Sequence, residues 1–207
     1  KFSELFELDS ITIIAILAAM LLPALNRARE AAHKINCAGA SNQIGQMLQL
    51  YRTDNNEFLP FMFDYTSGTK WWYDLLSPQY IGAGQFKKLA ACQGKPQRTY
   101  SYAYGVNTKM MGGLQANGTI ISFYGIKCIQ VKKPSMTFLT MDGKQNYGGI
   151  DSKSRTDPNY AYCSVEFAHA NGANIGFVDG HVDWKIKRPG GYTTDDIAMQ
   201  NSMTMYE

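Results

Sequence analysis

The sequence predicts an α+β fold, with a long N-terminal α-helix packed on a small antiparallel β-sheet head. Three observations predict it. Residues Ile11–Leu25 read ITIIAILAAMLLPAL, with no charge and only Thr12 polar. A helical pattern continues beyond them with no proline between Pro23 and Pro60, its apolar residues now confined to one stripe. Strand-like runs punctuated by Asp142-Gly143 and Asp179-Gly180 fill the remainder. A helix followed by strands belongs to the class in which a helix covers one face of an antiparallel sheet.

The apolar run is the first element to explain. Its fifteen residues would reach about 22 Å as a helix, short of the ~30 Å hydrocarbon core of a bilayer. Extending it back to Phe2 adds Glu4, Glu7 and Asp9. Each acid costs about 2.5–3.5 kcal/mol at mid-bilayer on insertion scales. Three readings compete. A secretory signal peptide needs a basic segment before the run and a small-residue cleavage site after it, but here acids precede it and Pro23-Ala-Leu-Asn-Arg-Ala-Arg29 follows. A buried core helix is the second reading. The third, which we favour, is a helix that sits first in a membrane and later in a protein assembly.

Beyond Asn26, Cys37, Ala40, Ile44, Met47, Leu48 and Tyr51 recur at three- and four-residue spacing, the signal of an amphipathic helix. Arg27, Arg29, Glu30, His33, Lys34 and Arg52 supply the polar side, and Asp54-Asn55-Asn56 is a stop. One helix is therefore expected from about Ile11 to Thr53, roughly 65 Å long. Pro23 should kink or locally melt it, because proline lacks the amide of the hydrogen-bond ladder. The chain then divides into a hydrophobic helix half (1–25), an amphipathic helix half (26–56), a globular β-rich head (57–187) and a polar surface tail (188–207).

In the head, Phe58–Leu76 is rich in aromatics. Trp71-Trp72-Tyr73 reads as core or inter-subunit packing rather than a stacking platform for a ligand. Thr99–Tyr104 alternates with period two and reads as a strand with Tyr100, Tyr102 and Tyr104 on one face, and Thr137–Met141 reads as a short apolar strand. Ala173–Lys187 reads as a hairpin. Its two runs flank Asp179-Gly180, which predicts a two-residue type I′ turn with Val178 and His181 paired beside it.

The chain has 207 residues, of which 18% are charged, against roughly 25% in ordinary soluble domains. Twenty basic and 17 acidic residues leave a net charge of +3, too small to indicate a nucleic-acid partner. A negative mean hydropathy excludes a polytopic membrane protein. The four cysteines, Cys37, Cys92, Cys128 and Cys163, include no C-x-x-C pair, which leaves a zinc knuckle or thioredoxin-type motif unsupported. Disulfides and free buried thiols both stay open. The pairing favoured is Cys37 with Cys92, tying helix to head, and Cys128 with Cys163. Asn117-Gly-Thr matches a glycosylation sequon.

His169, Asp179, His181 and Asp183 are the only set with metal or catalytic potential. The reading preferred is structural: Asp179 builds the turn and His169 hydrogen-bonds near it. Calcium on a loop bearing Asp142, Asp151 or Asp157 is a weaker alternative. No nucleophile elbow, phosphate loop or H-E-x-x-H motif occurs, so no catalytic residue and no enzyme activity is expected, and no cofactor beyond that calcium alternative.

The segment Ile13–Pro60 (IIAILAAMLLPALNRAREAAHKINCAGASNQIGQMLQLYRTDNNEFLP), the strand PSMTFLTMDG, and His169 followed by nine residues and Asp179-Gly180 together resemble the type IV pilin-like and pseudopilin family, in its form with a prepilin-type N-terminus and a C-terminal H-x9-DG motif. The resemblance spans nearly the whole chain in order. It implies a pilin-like fold and a leader cut by a prepilin peptidase before a methylated Phe2, and it places Pro23 at the helix-breaking proline of such subunits. The family's core glutamate position holds Phe6, and Glu7 is the nearest candidate for its role.

It further implies a structural subunit of a type IV pilus-like or pseudopilus filament at the cell surface, assembled from identical subunits after residence in the cytoplasmic membrane and handled by pilus assembly machinery. The filament core would hold Phe2, Glu7, Ile11, Ile13, Ile14, Ile16, Leu17, Leu21, Leu22, Pro23 and Leu25. The alternatives are a membrane-anchored module binding a glycan or other ligand, and an anchored metal-dependent enzyme.

Overall fold

The computed structural model describes residues 2–66, 68, 70–77, 79–82, 84–92, 103–114, 120–121, 127–143, 149–150, 169 and 171–186. Helix α1 is Phe2–Asp54, 53 residues, or about 80 Å at 1.5 Å per residue. It begins earlier than the apolar run requires, because Phe2–Ser10 continues the same helical backbone. It ends where expected. Asn55 and Glu57 donate their amides to Arg52 O at 3.2 and 2.8 Å, and Asn56 and Glu57 take positive φ of 53° and 70°. Asn tolerates the left-handed region that turns the chain out of a helix.

Pro23 does not interrupt α1. The helix runs through it without a break, so the expected local melting is corrected. Proline deletes one amide, leaving the Ala19 carbonyl without its usual donor, and the helical turns on either side continue across the gap.

Two sheets follow. The larger has the order β7-β3-β6-β8-β9, with β3 Tyr104–Asn107, β6 Phe138–Asp142, β7 Gly149–Ile150, β8 Gly172–Phe177 and β9 Val182–Ile186. Every pairing in it is antiparallel except β3 with β7. The predicted Thr137–Met141 run is its central strand, and all five of its residues are buried. The smaller sheet has the order β2-β1-β4-β5, built from the two-residue strands Phe63–Asp64 (β1), Lys70–Trp71 (β2), Gly113–Leu114 (β4) and Ile120–Ile121 (β5). Three short helices, Trp72–Leu76 (α2), Gln85–Leu89 (α3) and Thr108–Met111 (α4), complete the described head.

The second half of α1 packs on β6, β8 and β9. Cys37, Ala40, Ser41, Ile44, Met47 and Leu48 are buried on the helix side, which is the stripe the spacing predicted. Gly176 permits the close approach: a Cβ there would lie 2.5 Å from Thr140 Oγ1 and 3.3 Å from Ser41 Oγ. Gln49 Nε2 donates to Val178 O at 2.7 Å, and Lys34 Nζ lies 3.8 Å from the Trp184 ring centroid. Trp72 is buried, edge-on to Phe86, with Tyr73 stacked on the same ring, so the Trp-Trp-Tyr cluster serves packing within the head.

The β8–β9 hairpin differs from its expected form. Phe177, not Val178, opposes His181, with Phe177 N–H donating to His181 O at 2.9 Å. The loop is therefore Val178-Asp179-Gly180, three residues, and only Gly180 has positive φ, 96°. This is the pattern of a type I turn closed by a left-handed glycine. Val178 is held in the loop by tertiary contacts: its amide donates to Thr137 O at 3.0 Å and its side chain is buried. Tyr100, Tyr102, the sequon at Asn117 and the tail 188–207 lie outside the described residues.

Leu48 is fully buried and Leu17 is 55% exposed. Leu48→Ala should therefore destabilise the chain by about 2–5 kcal/mol, and Leu17→Ala should stay within about 0.5 kcal/mol of the parent. Urea unfolding of the detergent-solubilised full chain, followed by tryptophan fluorescence, checks both.

Candidate functional site

Two features of the fold invite a functional reading, and they lie on different halves of α1. The first is the apolar stretch of α1 that the head leaves exposed. Every residue from Ile11 to Ala32 is exposed. Ile11, Ile13, Ile14, Ile16, Leu17, Leu21, Leu22 and Leu25 are between 51% and 67% exposed, and Pro23 is exposed among them. Phe2 and Glu7 lie on the same helix, where only the backbone is described. The helix is long and apolar enough to cross a membrane, and none of its apolar window is buried by the head. A contiguous apolar surface of this size on a folded chain marks a lipid or protein contact.

The second feature surrounds the H-x9-DG motif, which joins two separate places. Strand β8 occupies most of the nine-residue spacing, so His169 and Asp179-Gly180 stand at opposite ends of it. The expectation that His169 hydrogen-bonds near the turn is therefore corrected. At the turn, Asp179 Oδ1 accepts from the His181 amide at 3.2 Å and faces His181 Nδ1 at 2.5 Å. The His181 ring stacks on Phe177 with centroids 4.2 Å apart. Asp183 pairs with Lys185, which holds its carboxyl below the usual range. The four residues His169, Asp179, His181 and Asp183 are thus not brought together.

His169 instead sits in a buried cluster assembled from four parts of the chain. Its backbone exchanges hydrogen bonds with Gly172 at 3.1 and 2.8 Å, a tight reversal in which Asn171 has φ 58°. Its Nε2 lies 3.4 Å from Cys92 Sγ, just after α3, and 3.9 Å from Asp142 Oδ2, the last residue of β6. Cys92 Sγ is 3.0 Å from Cys37 Sγ on α1. The pair favoured from the sequence is therefore brought together, as two thiols in contact. All four residues are between 3% and 8% exposed. Tyr104 closes the helix side, its hydroxyl donating to Cys37 O at 2.9 Å.

The electrostatics follow from burial. Asp142 Oδ2 accepts from Asn174 N and Nδ2 at 2.8 and 3.2 Å, while Oδ1 has no hydrogen-bond partner among the described residues. Burial pushes the Asp142 carboxyl up from 3.8 to about 7, against the two Asn174 hydrogen bonds and the nearby imidazole, which favour its charge. The Cys92 contact and then burial push the Cys37 thiol up. Cys128 is buried beneath the Glu57 turn, its thiol also pushed up by burial, and Cys163, its expected partner, lies outside the described residues. Asp142 is not the loop residue that a calcium site needs. It ends a buried strand beside sulfur and nitrogen, and Asp151 and Asp157 lie outside the described residues.

In comparisons with known proteins, the chain matches no family model, no curated protein and no solved structure. What the site can do is therefore argued from its own geometry.

Sequence reasoning did not connect Asp142 to His169 or to the cysteines. The available signal was a carboxylate ending an otherwise apolar strand, a place where charge is costly unless it is used. Because the native state raises the Asp142 pKa, it favours the protonated acid. The stability this group contributes is present below pH 3.8 and is lost as pH rises through about 7. The reduced, metal-free chain should thus become less stable across that interval, by at most ~1.4 kcal/mol per pH unit. Asp142→Asn should flatten the slope. Denaturant midpoints measured across the interval check both.

Proposed function

We propose that this chain is a structural subunit of an extracellular pilus-like or pseudopilus filament, held in the cytoplasmic membrane by the first half of α1 before assembly. The observation that carries the reading is the division of α1. From Cys37 onward one face of it is packed on the sheet, and the residues from Ile11 to Ala32 are all exposed. The same helix would serve lipid first and neighbouring copies afterwards.

Lipid tails are as apolar as leucine, so the preference for protein must come from close packing. Ala15, Ala18, Ala19 and Ala24 supply small residues along the exposed half. A helix offset against its neighbour repeats one heterologous contact along a screw axis, the geometry that produces open filaments. The orphaned Ala19 carbonyl beside Pro23 is the natural place for the helix to extend or bend as it changes surroundings. Cleavage and methylation at Phe2, by a prepilin peptidase and its partner activity, belong to the same proposal. So does the role of Glu7 opposite a neighbour's N-terminal amine.

Electron microscopy after detergent removal tests the reading. Helical filaments with heads outside and α1 in the core are the expected result. Ile14→Lys and Leu17→Lys should abolish them while leaving the head's circular dichroism unchanged. Chains that stay dispersed in vesicles, with no filament under any condition, would leave an anchored binding module in its place.

A further inference from the structure

Four buried side chains, Cys37, Cys92, Asp142 and His169, meet inside the head, and only Cys37 belongs to the packing stripe of α1. A buried carboxylate with one oxygen unpartnered asks for an explanation. Its neighbours within the cluster are an imidazole nitrogen and two sulfurs, a donor set that suits a borderline-soft divalent cation rather than a hard one. The ligand atoms of Cys37, Cys92 and His169 all lie within 4.8 Å of one another.

We propose that Cys37, Cys92 and His169 form a structural site for a tetrahedral divalent cation of the zinc class, with the Asp142 carboxylate as the fourth ligand. Distances of about 2.3 Å from such a metal to sulfur and about 2.0–2.1 Å to nitrogen put tetrahedral ligands about 3.8 Å (S to S) and about 3.6 Å (S to N) apart. The corresponding separations are 3.0 Å and 3.4 Å. The sulfurs therefore have to part by under an ångström, a side-chain adjustment. Closing them to a covalent bond of about 2.05 Å requires a movement of similar size in the other direction, so sulfur spacing alone does not choose.

The other two groups do choose. A disulfide would leave the Asp142 carboxylate half-satisfied beside it, whereas a cation can engage the carboxylate together with the imidazole nitrogen. Asp142 faces the cluster through Oδ2, 3.9 Å from His169 Nε2, while its Oδ1 has no hydrogen-bond partner among the described residues. Without a metal, burial disfavours the ionised form of Asp142, and the Cys92 contact and then burial disfavour that of Cys37. A divalent charge reverses that preference: two thiols, the Asp142 carboxyl and one cation give a bis-thiolate, carboxylate complex, with two thiol protons released to solvent and a third from the carboxyl wherever it is protonated beforehand, and no change of oxidation state.

Four protein ligands leave no open position, so the site would be structural and not catalytic. Its ligands come from α1, the segment after α3, the end of β6 and the entry to β8. One ion would thus pin the helix to the head at the ends of the inner strands β6 and β8, independently of whether the exposed half of α1 builds a filament.

The test uses the full chain in detergent. Metal analysis as isolated is followed by cobalt titration of the reduced, metal-free chain. The expected results are one ion per chain, a thiolate-to-cobalt charge-transfer band in the near ultraviolet, and two protons released at a pH well above 7, where the Asp142 carboxyl is already ionised. Cys92→Ser should abolish the band, Asp142→Asn and His169→Gln should weaken binding at least tenfold, and Cys128→Ser should leave it unchanged. Should the cysteine variant fail to fold, X-ray absorption at the zinc edge of the parent chain decides, with two sulfurs in the first shell expected. A shell of oxygen and nitrogen alone, a folded reduced chain that takes no cobalt, or peptides from the isolated chain linked through Cys37 and Cys92 would each overturn the site. None of these results depends on filament assembly, so the two proposals fail separately.

Discussion

The packing of the Cys37–Leu48 face of α1 against β6, β8 and β9 is the contact on which the rest depends. Ile44 and Leu48 are fully buried there, each worth about 1.5–3 kcal/mol of transfer free energy. A helix is rigid over its length, so fixing one half fixes the direction of the other. With the stripe seated on the sheet, the residues from Ile11 to Ala32 stand clear of the head and stay exposed. The apolar half is thus held out by packing elsewhere, not by any interaction of its own. Gly176 is what makes the seat close enough, since any side chain there would strike Thr140 and crowd Ser41.

The β8–β9 hairpin works as a bracket on that seat. One end is the Val178-Asp179-Gly180 loop, tied to Thr137 and to Gln49 of α1. The other is His169, turned inward at the start of β8 to meet Asp142 and Cys92. The nine-residue spacing between His169 and Asp179 is mostly the length of one strand, which places a turn-forming residue at one end and a buried polar group at the other. Trp184 lies across Gly172, where a Cβ would fall 2.3 Å from the indole, and Lys34 Nζ lies over its ring. Hairpin, helix and cluster therefore share residues, and a change at one end of β8 should be felt at the other.

The cluster of Cys37, Cys92, Asp142 and His169 departs from the apolar logic of the surrounding core. Desolvating a carboxylate costs several kcal/mol unless it is paired and hydrogen-bonded, and Asp142 has Asn174 on one oxygen and no partner among the described residues on the other. An arrangement of this kind is retained for specificity or for a ligand, since a hydrophobic replacement would be cheaper. The two sulfurs bring α1 and the region after α3 together, so whatever joins them constrains the fold over 55 residues of sequence.

How much was legible in the sequence follows from the range of each interaction. The helix, its stripe, its stop at Asp54-Asn55-Asn56 and the central strand at Phe138–Asp142 were readable because hydrophobic periodicity and turn chemistry are properties of neighbouring residues. A single helix through Pro23 was readable as well, but whether the proline would kink it or melt a turn was not, because one missing amide is a small loss against the helical turns on both sides. The hairpin was readable but its loop length was not: Asp179-Gly180 alone favours a two-residue turn, and Val178 joins the loop only because Thr137 and Gln49, distant in sequence, hold it there. The partners of His169 were invisible for the same reason. A sequence determines which surfaces must be buried, since that is written in local pattern. Only the tertiary structure decides which polar groups are buried together, because their pairing is set by where the packed elements happen to end.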